Sequence, residues 1–307
     1  MKNLRLIFIS LLMVSGFNAF SQQRPVVSTY MFNGLLLNPA YAGSLDEFSA
    51  TVTNRNQWVN VDGAPNSQSI SAHTTWVENR VGTGLTIQRD AVGAHEQFSV
   101  YASYAYKIHM SGGILAMGLQ GGFDNRISNL NQLNWYDPTD PLNLRITRFN
   151  PNFGTGLYFA NRKFFAGLSV PYILKPRIFN VTDGTGSEAR EARYYYFNFG
   201  NVMELSPTLK LNPSFLLRMQ ERANIGYDVN VNLIFSDIIY AGVSYRSGDA
   251  VVFLTQLVLN DNFRVGYAYD AVSSSLNAFT AGTHEIMLNY RKKIRGSKKH
   301  PLCPVYF

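Results

Sequence analysis

The sequence contains little cysteine and little charge. Cys303 is the only cysteine among 307 residues, so a disulfide framework within the chain and cysteine-based metal sites are excluded. Charged residues make up only 15% of the chain, and after the N-terminal segment no apolar run is long enough for a bilayer-spanning helix. Aromatic residues, at 14%, and 24 glycines are plentiful. This composition excludes a disordered chain and favours strands and turns over long helices.

The net charge of +7 is concentrated at the two ends. Lys2 and Arg5 lie in the first five residues, and six more basic residues lie in the last seventeen, which have no acidic residue. The rest of the chain holds 19 basic against 20 acidic residues. A nucleic-acid-binding surface on this nearly neutral body is therefore excluded.

The first 21 residues predict a secretory signal peptide. Lys2 and Arg5 precede the apolar stretch Leu6–Val14, and Ala19-Phe20-Ser21 provides a small-x-small cleavage site before Gln22. The alternative is an N-terminal anchor helix, which the short apolar core disfavours.

Period-two alternation dominates the chain after residue 47. The stretch Lys210–Met219 places apolar side chains on one face and polar ones on the other, with Leu216 as the exception. The next stretch follows the same rule, because Tyr227, Val229 and Val231 alternate with Asp228, Asn230 and Asn232. Such alternation puts one face of a strand in an apolar medium and the other against water.

About fourteen segments of this kind cover most of the chain. We place them near residues 48–58, 67–77, 82–89, 95–107, 113–123, 150–160, 163–170, 193–204, 208–218, 227–236, 238–247, 249–259, 262–270 and 283–292. The connectors between them alternate between longer and shorter. One rim would thus have tight turns and both termini, and the other would have loops, including Asp90–Ala94, Asp124–Phe149 and Pro171–Ala192.

This layout predicts an all-β fold, a transmembrane antiparallel β-barrel of the bacterial outer membrane with about 14 strands over residues 48–292. A soluble β-sandwich or propeller also alternates, but it need not alternate long and short loops or be so rich in Tyr and Phe. Several aromatic residues suit the two interfacial girdles of a barrel: Tyr101, Tyr104, Tyr106, Tyr158, Phe159, Tyr194, Tyr195, Tyr196, Phe197, Tyr267 and Tyr269.

Residues 22–47 do not alternate and form a separate N-terminal segment. They contain Asn38-Pro39-Ala40-Tyr41-Ala42-Gly43, whose turn-forming residues predict a compact, irregular conformation. The segment could plug the lumen, lie at the periplasmic mouth, or pack under the barrel in a structural role only.

Catalytic and metal-binding motifs are not recognisable. The five histidines are dispersed without a ligand-spaced pair, and neither a nucleophile elbow nor a phosphate loop is present. Asp270 and His284, which flank the last long loop, are the nearest approach to a dyad, but satisfied polar groups at the rim are the simpler interpretation. We therefore predict no enzyme activity, cofactor or metal.

Besides the N-terminal segment, a loop and the C-terminal tail are candidates for partner binding. The loop Asp124–Phe149 contains Trp135-Tyr136-Asp137-Pro138, a rigid aromatic composition suited to gripping a protein or covering the lumen. The basic tail, residues 293–307, would emerge in the periplasm and attract acidic headgroups or an acidic protein patch, unless it is merely solvated. Its basic residues, with Lys292 beside them, are Lys293, Arg295, Lys298 and Lys299.

Several ordered motifs resemble the PorP/SprF family of Bacteroidota outer-membrane proteins. They are Tyr30–Asn33, Asn38–Ser44, Arg55-Asn56-Gln57-Trp58, Gly63-Ala64-Pro65, Gly266–Asp270, Gly282–Ile286, Asn289-Tyr290 and Cys303-Pro304 with Phe307 at the end. The resemblance covers essentially the whole mature chain. It implies a barrel associated with the type IX secretion system, which exports proteins and, in gliding bacteria, delivers surface adhesins. It implies no catalytic residues.

The main functional hypothesis is therefore a non-enzymatic outer-membrane component of type IX secretion. It would support the secretion or surface anchoring of cargo such as gliding adhesins, and link to periplasmic, peptidoglycan-associated machinery. The competing hypothesis is a porin-like diffusion channel. The predicted partner-binding residues are Asn38, Pro39, Tyr41, Gly43, Trp135, Tyr136, Lys292, Lys293, Arg295, Lys298 and Lys299.

Overall fold

A computed structural model describes residues 27–76, 79–133, 143–179, 189–221 and 223–294. The predicted signal peptide, residues 1–21, lies outside the described residues. Among those that are described, no helix has the length and apolarity needed to cross a bilayer.

The described residues form one large antiparallel sheet of fourteen strands. The strands are β1 (Glu47–Asn56), β2 (Asn66–Trp76), β3 (Val81–Val92), β4 (His95–Met110), β5 (Gly113–Asn129), β6 (Arg145–Ala160), β7 (Phe164–Val170), β8 (Tyr194–Asn201, continued by Met203–Ser206), β9 (Leu209–Gln220), β10 (Gly226–Phe235), β11 (Ile239–Arg246), β12 (Ala250–Val258), β13 (Phe263–Val272) and β14 (Thr283–Lys293). A small separate ribbon pairs Arg177–Phe179 with Ala189–Arg190.

The sheet closes on itself. Each strand pairs with its neighbours in sequence, and β1 pairs with β14 from Glu47 opposite Lys293 to Asn56 opposite His284. Closure gives the first and last strands the partners that an open sheet would lack. The predicted fourteen-stranded transmembrane barrel is therefore confirmed.

Polar side chains face the inside of the barrel and apolar ones face outward. On β10, Asn230 is 1% exposed to solvent whereas its neighbour Val231 is 47% exposed. This is the reverse of a soluble protein, in which large apolar residues are buried. It matches a barrel whose outer surface contacts lipid.

The two rims differ as predicted in the length of most of their connections. The rim with tight turns and the start of β1 is the periplasmic rim by the usual layout of such barrels, and the other is the outer rim. The loop predicted over Asp124–Phe149 is too long, because Asp124–Asn129 pairs with Arg145–Asn150 and extends β5 and β6. Likewise, Val92 pairs with His95, so the outer connection predicted at Asp90–Ala94 is a two-residue turn at residues 93–94.

Four of the predicted girdle tyrosines face the lumen instead of the membrane interface. Tyr101, Tyr158, Tyr194 and Tyr196 are buried inside the barrel. Their positions in the alternation point inward, where Tyr158, Tyr194 and Tyr196 belong to apolar clusters and Tyr101 packs against Tyr172. Four others do face outward and are exposed: Tyr104, Tyr106, Phe197 and Tyr267.

Strand β7, with seven residues, is the shortest of the fourteen strands that form the wall in the described part of the chain. After Val170, which pairs with Thr155 in the periplasmic half of β6, the chain leaves the wall and turns into the lumen. The Gln120 side chain donates to the Pro171 carbonyl at 2.8 Å, and Tyr172 packs edge-on against Tyr101. Residues 171–174 therefore cover part of the lumen from the outer side.

Candidate functional site

Residues 27–46, which we call the plug, lie inside the barrel. They form three short 3-10 turns, Tyr30–Phe32, Gly34–Leu36 and Pro39–Tyr41, and lead into β1 at Glu47. Most plug residues are buried, among them Thr29, Ala40 and Ala42 with no exposed surface. The described residues 27–46 of the predicted N-terminal segment thus lie in the lumen, and residues 22–26 lie outside the described residues.

Asn38 sets the conformation of the third turn and attaches it to the wall. Its side-chain oxygen accepts from the Ala40 amide at 2.9 Å, and Pro39 occupies the first position of the turn. An Asn before a Pro is a favourable start for such a turn, because it satisfies an amide that the turn leaves open. The Asn38 amide group also donates to the Leu157 carbonyl on β6 at 2.8 Å.

Tyr41 and Gly43 contact the wall on the periplasmic half. The Tyr41 ring packs edge-on against His73 at 5.5 Å and Tyr158 at 5.4 Å between ring centroids. Gly43 has a positive φ of 67°, which favours glycine, and a Cβ there would lie 2.7 Å from the Gly82 Cα. The Gly43 carbonyl accepts from the buried Lys107 ammonium at 2.6 Å.

Glycines on the inner face of the wall make room for the plug backbone. A Cβ on Gly82 would overlap the Ala42 carbonyl, and one on Gly118 would overlap the Ala40 backbone. A Cβ on Gly156 would overlap the Asn38 side chain. These glycines lie on β3, β5 and β6, so the plug lies directly against this side of the barrel.

Apolar side chains anchor the plug on the opposite side. Phe32 packs into a cluster of inward-facing residues from β10 to β14: Ile234, Tyr240, Val252, Leu254, Ala268 and Met287. Tyr30 and Leu37 pack with Leu216 and with tyrosines of β8. Leu216 is fully buried. Its departure from the alternation of β9 is explained by this contact, because the plug provides an apolar surface inside the lumen.

Polar contacts between the plug and the wall involve strands on several sides. Ser71 of β2 donates to the Asn33 side chain at 3.0 Å, and Ser169 of β7 donates to the Leu37 carbonyl at 2.6 Å. Asn230 of β10 donates to the Tyr30 hydroxyl at 2.8 Å. Buried polar groups need such partners, so these bonds fix the position of the plug.

A buried group of charges holds the beginning of the plug near the outer rim. Glu285 accepts from the amides of Ser28 at 2.7 Å and Thr29 at 2.9 Å, and also from the Thr29 hydroxyl. Asp270 accepts from the Ser28 hydroxyl at 2.8 Å. Arg55 bridges the two carboxylates, at 2.7 Å from Asp270 and 3.1 Å from Glu285.

The charged group continues along the wall through two more arginines. Arg246 contacts Asp228 at 3.2 Å and Asp270 at 3.4 Å, and Arg218 contacts Asp228 at 2.9 Å. Three guanidinium groups thus face three carboxylates with little exposure to water. Burying one charge of such a set without its partner would cost several kcal/mol, so the set and the plug start stabilise each other.

The predicted site residues do not come together in one place in the structure. Asn38, Pro39, Tyr41 and Gly43 come together in the plug, where they contact the barrel's own wall. Their predicted contact with a partner, like that of the other predicted site residues, stays a prediction. Lys292 and Lys293 end β14 and are exposed at the periplasmic rim. The other five predicted residues lie outside the described residues: Trp135, Tyr136, Arg295, Lys298 and Lys299.

Asp270 and His284 do not form a dyad. Asp270 faces the lumen and is bound to Ser28 and Arg55, whereas His284 lies on the outer face and contacts the Tyr267 hydroxyl at 2.6 Å. Adjacent residues of a strand point to opposite faces, and Asp270 is paired with Thr283 rather than with His284. In the described part of the chain, no three His, Cys, Asp or Glu residues are arranged to hold a metal ion.

The sequence pattern did not predict the buried charged group, the wall glycines that contact the plug, or the apolar side chains that anchor it. The one visible signal was Leu216, an apolar residue at a lumen-facing position. The charged residues occupy regular polar positions, so the alternation gave no sign that they contact the plug.

The geometry defines a class of protein, an outer-membrane β-barrel whose lumen is occupied by its own N-terminal segment. The model of the family described as type IX secretion system membrane protein PorP/SprF matches residues 19–290. The chain belongs to this family, which confirms the predicted resemblance and the outer-membrane location. Membership implies association with components of type IX secretion, and both the family and the fold are of a non-enzymatic kind.

Solved structures with a similar fold are also outer-membrane barrels. A Pseudomonas aeruginosa FadL homologue has a TM-score of 0.50 at 11% identity, covering 88% of this chain and 95% of that chain. The CymD monoaromatic hydrocarbon channel has the same TM-score and identity, with 88% and 93% covered. Omp33 of Acinetobacter baumannii has a TM-score of 0.46 at 10% identity, with 81% and 99% covered. No curated protein matches the chain. At 11% identity, the likenesses to the FadL homologue and to CymD show the fold alone.

The contact between Gly118 and the plug yields a first prediction. Gly118→Val should push the Pro39–Tyr41 turn from the wall, because the added side chain overlaps the Ala40 backbone. Amide hydrogen exchange of Ala40 and Ala42 should rise by at least about tenfold while the strand amides stay protected. Gly112→Val is the matched control, since a Cβ at Gly112 meets open space. Equal protection of the plug in both variants would contradict the close fit.

The carboxylate of Glu285 yields a second prediction. Glu285→Gln removes one acceptor from the Ser28 and Thr29 amides and leaves Arg55 with one counter-charge fewer. Exchange of these two amides should increase, and the free energy of unfolding in detergent should fall by about 3 kcal/mol. Glu204→Gln on the exposed end of β8 should change neither quantity. If Glu285→Gln behaved like that control, the charged group would not hold the plug.

Proposed function

We propose that this protein is a non-enzymatic component of type IX secretion that binds other proteins at its rims and supports the secretion or surface anchoring of a cargo such as a gliding adhesin. The observation that carries the proposal is the plug. It contacts strands on all sides of the lumen through buried apolar, polar and charged groups. A lumen filled in this way supports a role in assembly rather than in conduction.

A diffusion channel is the competing function. One barrel of similar fold is named as a monoaromatic hydrocarbon channel. Conduction through the lumen of this chain would require the plug to move and to break the hydrogen bonds that Ser28 and Thr29 donate to the buried carboxylates of Glu285 and Asp270. Losing such contacts costs several kcal/mol, which favours the assembly role.

The two rims offer different contacts. Strands β4, β5 and β6, with 16, 17 and 16 residues, are longer than the 9 to 11 residues that usually span a membrane. Their outer ends therefore extend toward the cell surface and carry the loop that includes Trp135 and Tyr136. At the periplasmic rim, Lys292 and Lys293 precede the basic tail, whose charge suits an acidic periplasmic protein. We propose the loop as a cargo contact and the tail as a periplasmic contact.

Two variants in the native host test this assignment. Deleting residues 130–142 should leave the barrel inserted but impair surface display of the cargo, because the strand ladder ends at Asn129 and Arg145. Replacing Lys292, Lys293, Arg295, Lys298 and Lys299 by Gln should reduce co-purification with periplasmic components at low salt. Lys163→Gln, at an exposed periplasmic turn, is the control for the second variant.

Normal cargo display after the loop deletion would refute the role of the loop. Recovery of periplasmic components that is unchanged at low salt would refute the role of the tail. Affinity isolation of the tagged protein followed by mass spectrometry identifies the cargo and the partner in both cases.

A further inference from the structure

The wall of the barrel is incomplete on one side near the outer rim. Strand β6 extends outward to Arg145, but its pairing with β7 runs only from Ala160 opposite Phe165 to Thr155 opposite Val170. Beyond that point the chain of β7 turns into the lumen. The outer half of β6 therefore has a strand neighbour only on the β5 side.

The alternation of backbone hydrogen bonds along β6 identifies the groups on its vacant side, which is the side facing away from β5. The Phe153 carbonyl points to that side, because it accepts from the Ile173 amide at 2.8 Å. The backbone N–H and C=O groups of every second residue along the strand point to the same side. The amides and carbonyls of Arg145, Thr147 and Phe149 and the carbonyl of Pro151 thus line the vacant side, which we call the free edge.

Within the chain described by the structure, no group bonds to this edge. No backbone hydrogen bond joins it to residues 171–179 or 189–193, and the strands Arg177–Phe179 and Ala189–Arg190 form a sheet separate from the barrel. An unpaired strand edge is a template for the addition of another strand. Pro151 has no amide hydrogen, so the donors of the free edge end at Phe149.

The side chains of the same stretch indicate the chemistry of a partner. Phe149 points outward and is 63% exposed. Arg148 points inward opposite Arg126, and its Nε atom is buried without a hydrogen-bond partner. The Arg126 guanidinium already donates to the side-chain oxygen of Gln97 at 2.7 Å and lies 3.5 Å from the Glu191 carboxylate. The edge therefore presents the positive charge of Arg148 on its inner face, and on its outer face the apolar ring of Phe149 beside Thr147 and Arg145.

We propose that the free edge of β6 binds an extended segment of another protein, which adds a strand with acidic side chains facing Arg148 and apolar side chains facing Phe149. Strand addition of this kind gains affinity from backbone bonds and specificity from alternate side chains. The inference rests on the proposed role in protein binding and specifies where and how a partner binds.

A second copy of this chain does not fit the free edge. Two copies joined edge to edge would bring Arg145 and Arg148 of one copy next to the same residues of the other. Like charges across paired strands are destabilising. The charge of the edge thus favours an acidic partner over self-association.

The test uses the full-length mature protein in detergent or nanodiscs with a short synthetic peptide of alternating Val and Glu. A peptide of alternating Val and Lys is the control. Residue-resolved hydrogen exchange should slow at the amides of Arg145, Thr147 and Phe149 when the Val-Glu peptide is added. The amides of Ile146 and Arg148 should not change, since they point to β5 and are already paired.

Two variants assign the binding to the proposed groups. Thr147→Pro removes an amide hydrogen from the free edge without touching the ladder with β5, and it should weaken binding of the Val-Glu peptide by about tenfold. Thr147→Val keeps the amide and should bind like the unchanged protein. Arg148→Gln should reduce the preference for the Val-Glu over the Val-Lys peptide. Unchanged protection of the β5 amides verifies that each variant is folded.

Four results would overturn the proposal: exchange at the three amides that does not slow, full binding by Thr147→Pro, equal or tighter binding of the Val-Lys peptide, or a homodimer that Thr147→Pro dissociates. Cargo display in the native host separates this inference from the broader function. Normal display by Thr147→Pro, together with loss of display when the whole gene is deleted, would refute strand addition at β6 and leave the role in secretion in place.

Discussion

Backbone hydrogen bonding in lipid is the constraint on which the structure depends. An amide or carbonyl in hydrocarbon has no water to bond, so a spanning sheet must close. The pairing of β1 with β14 achieves this closure. Side chains alone fill the interior of a barrel of about eight strands, whereas wider barrels enclose a larger space. With fourteen strands, that space holds either water or another segment of the chain.

In this protein the space is occupied by residues 27–46, and the wall is shaped for them. Glycines admit the backbone of the plug on one side, Phe32 and Tyr30 pack into apolar clusters on the other, and Glu285 holds its first amides near the outer rim. A barrel closed from within presents its rims and the open edge of β6 as the surfaces for other molecules. This arrangement suits a secretion component that binds proteins.

The strands of the barrel could be predicted from the sequence, but the contacts between the plug and the inner wall could not. Alternation located the strands because lipid and lumen impose opposite polarities on adjacent residues, as for Asn230 and Val231. The same rule failed for Tyr101 and Tyr196, because an aromatic residue suits both a girdle and a plugged lumen. It also failed to extend β5 and β6 to Asn129 and Arg145, because polar and apolar residues occur on both faces of these extensions and the alternation is lost there. The contact of Gly118 with Ala40 depends on how the plug lies in the barrel, which local sequence does not encode.

Conductance through a planar lipid bilayer tests most directly whether the N-terminal segment closes the barrel. The intact mature protein should insert and give no steady current, whereas a variant that lacks residues 27–42 should give an open current under the same conditions. A steady open current from the intact protein, equal to that of the deletion variant, would contradict the account.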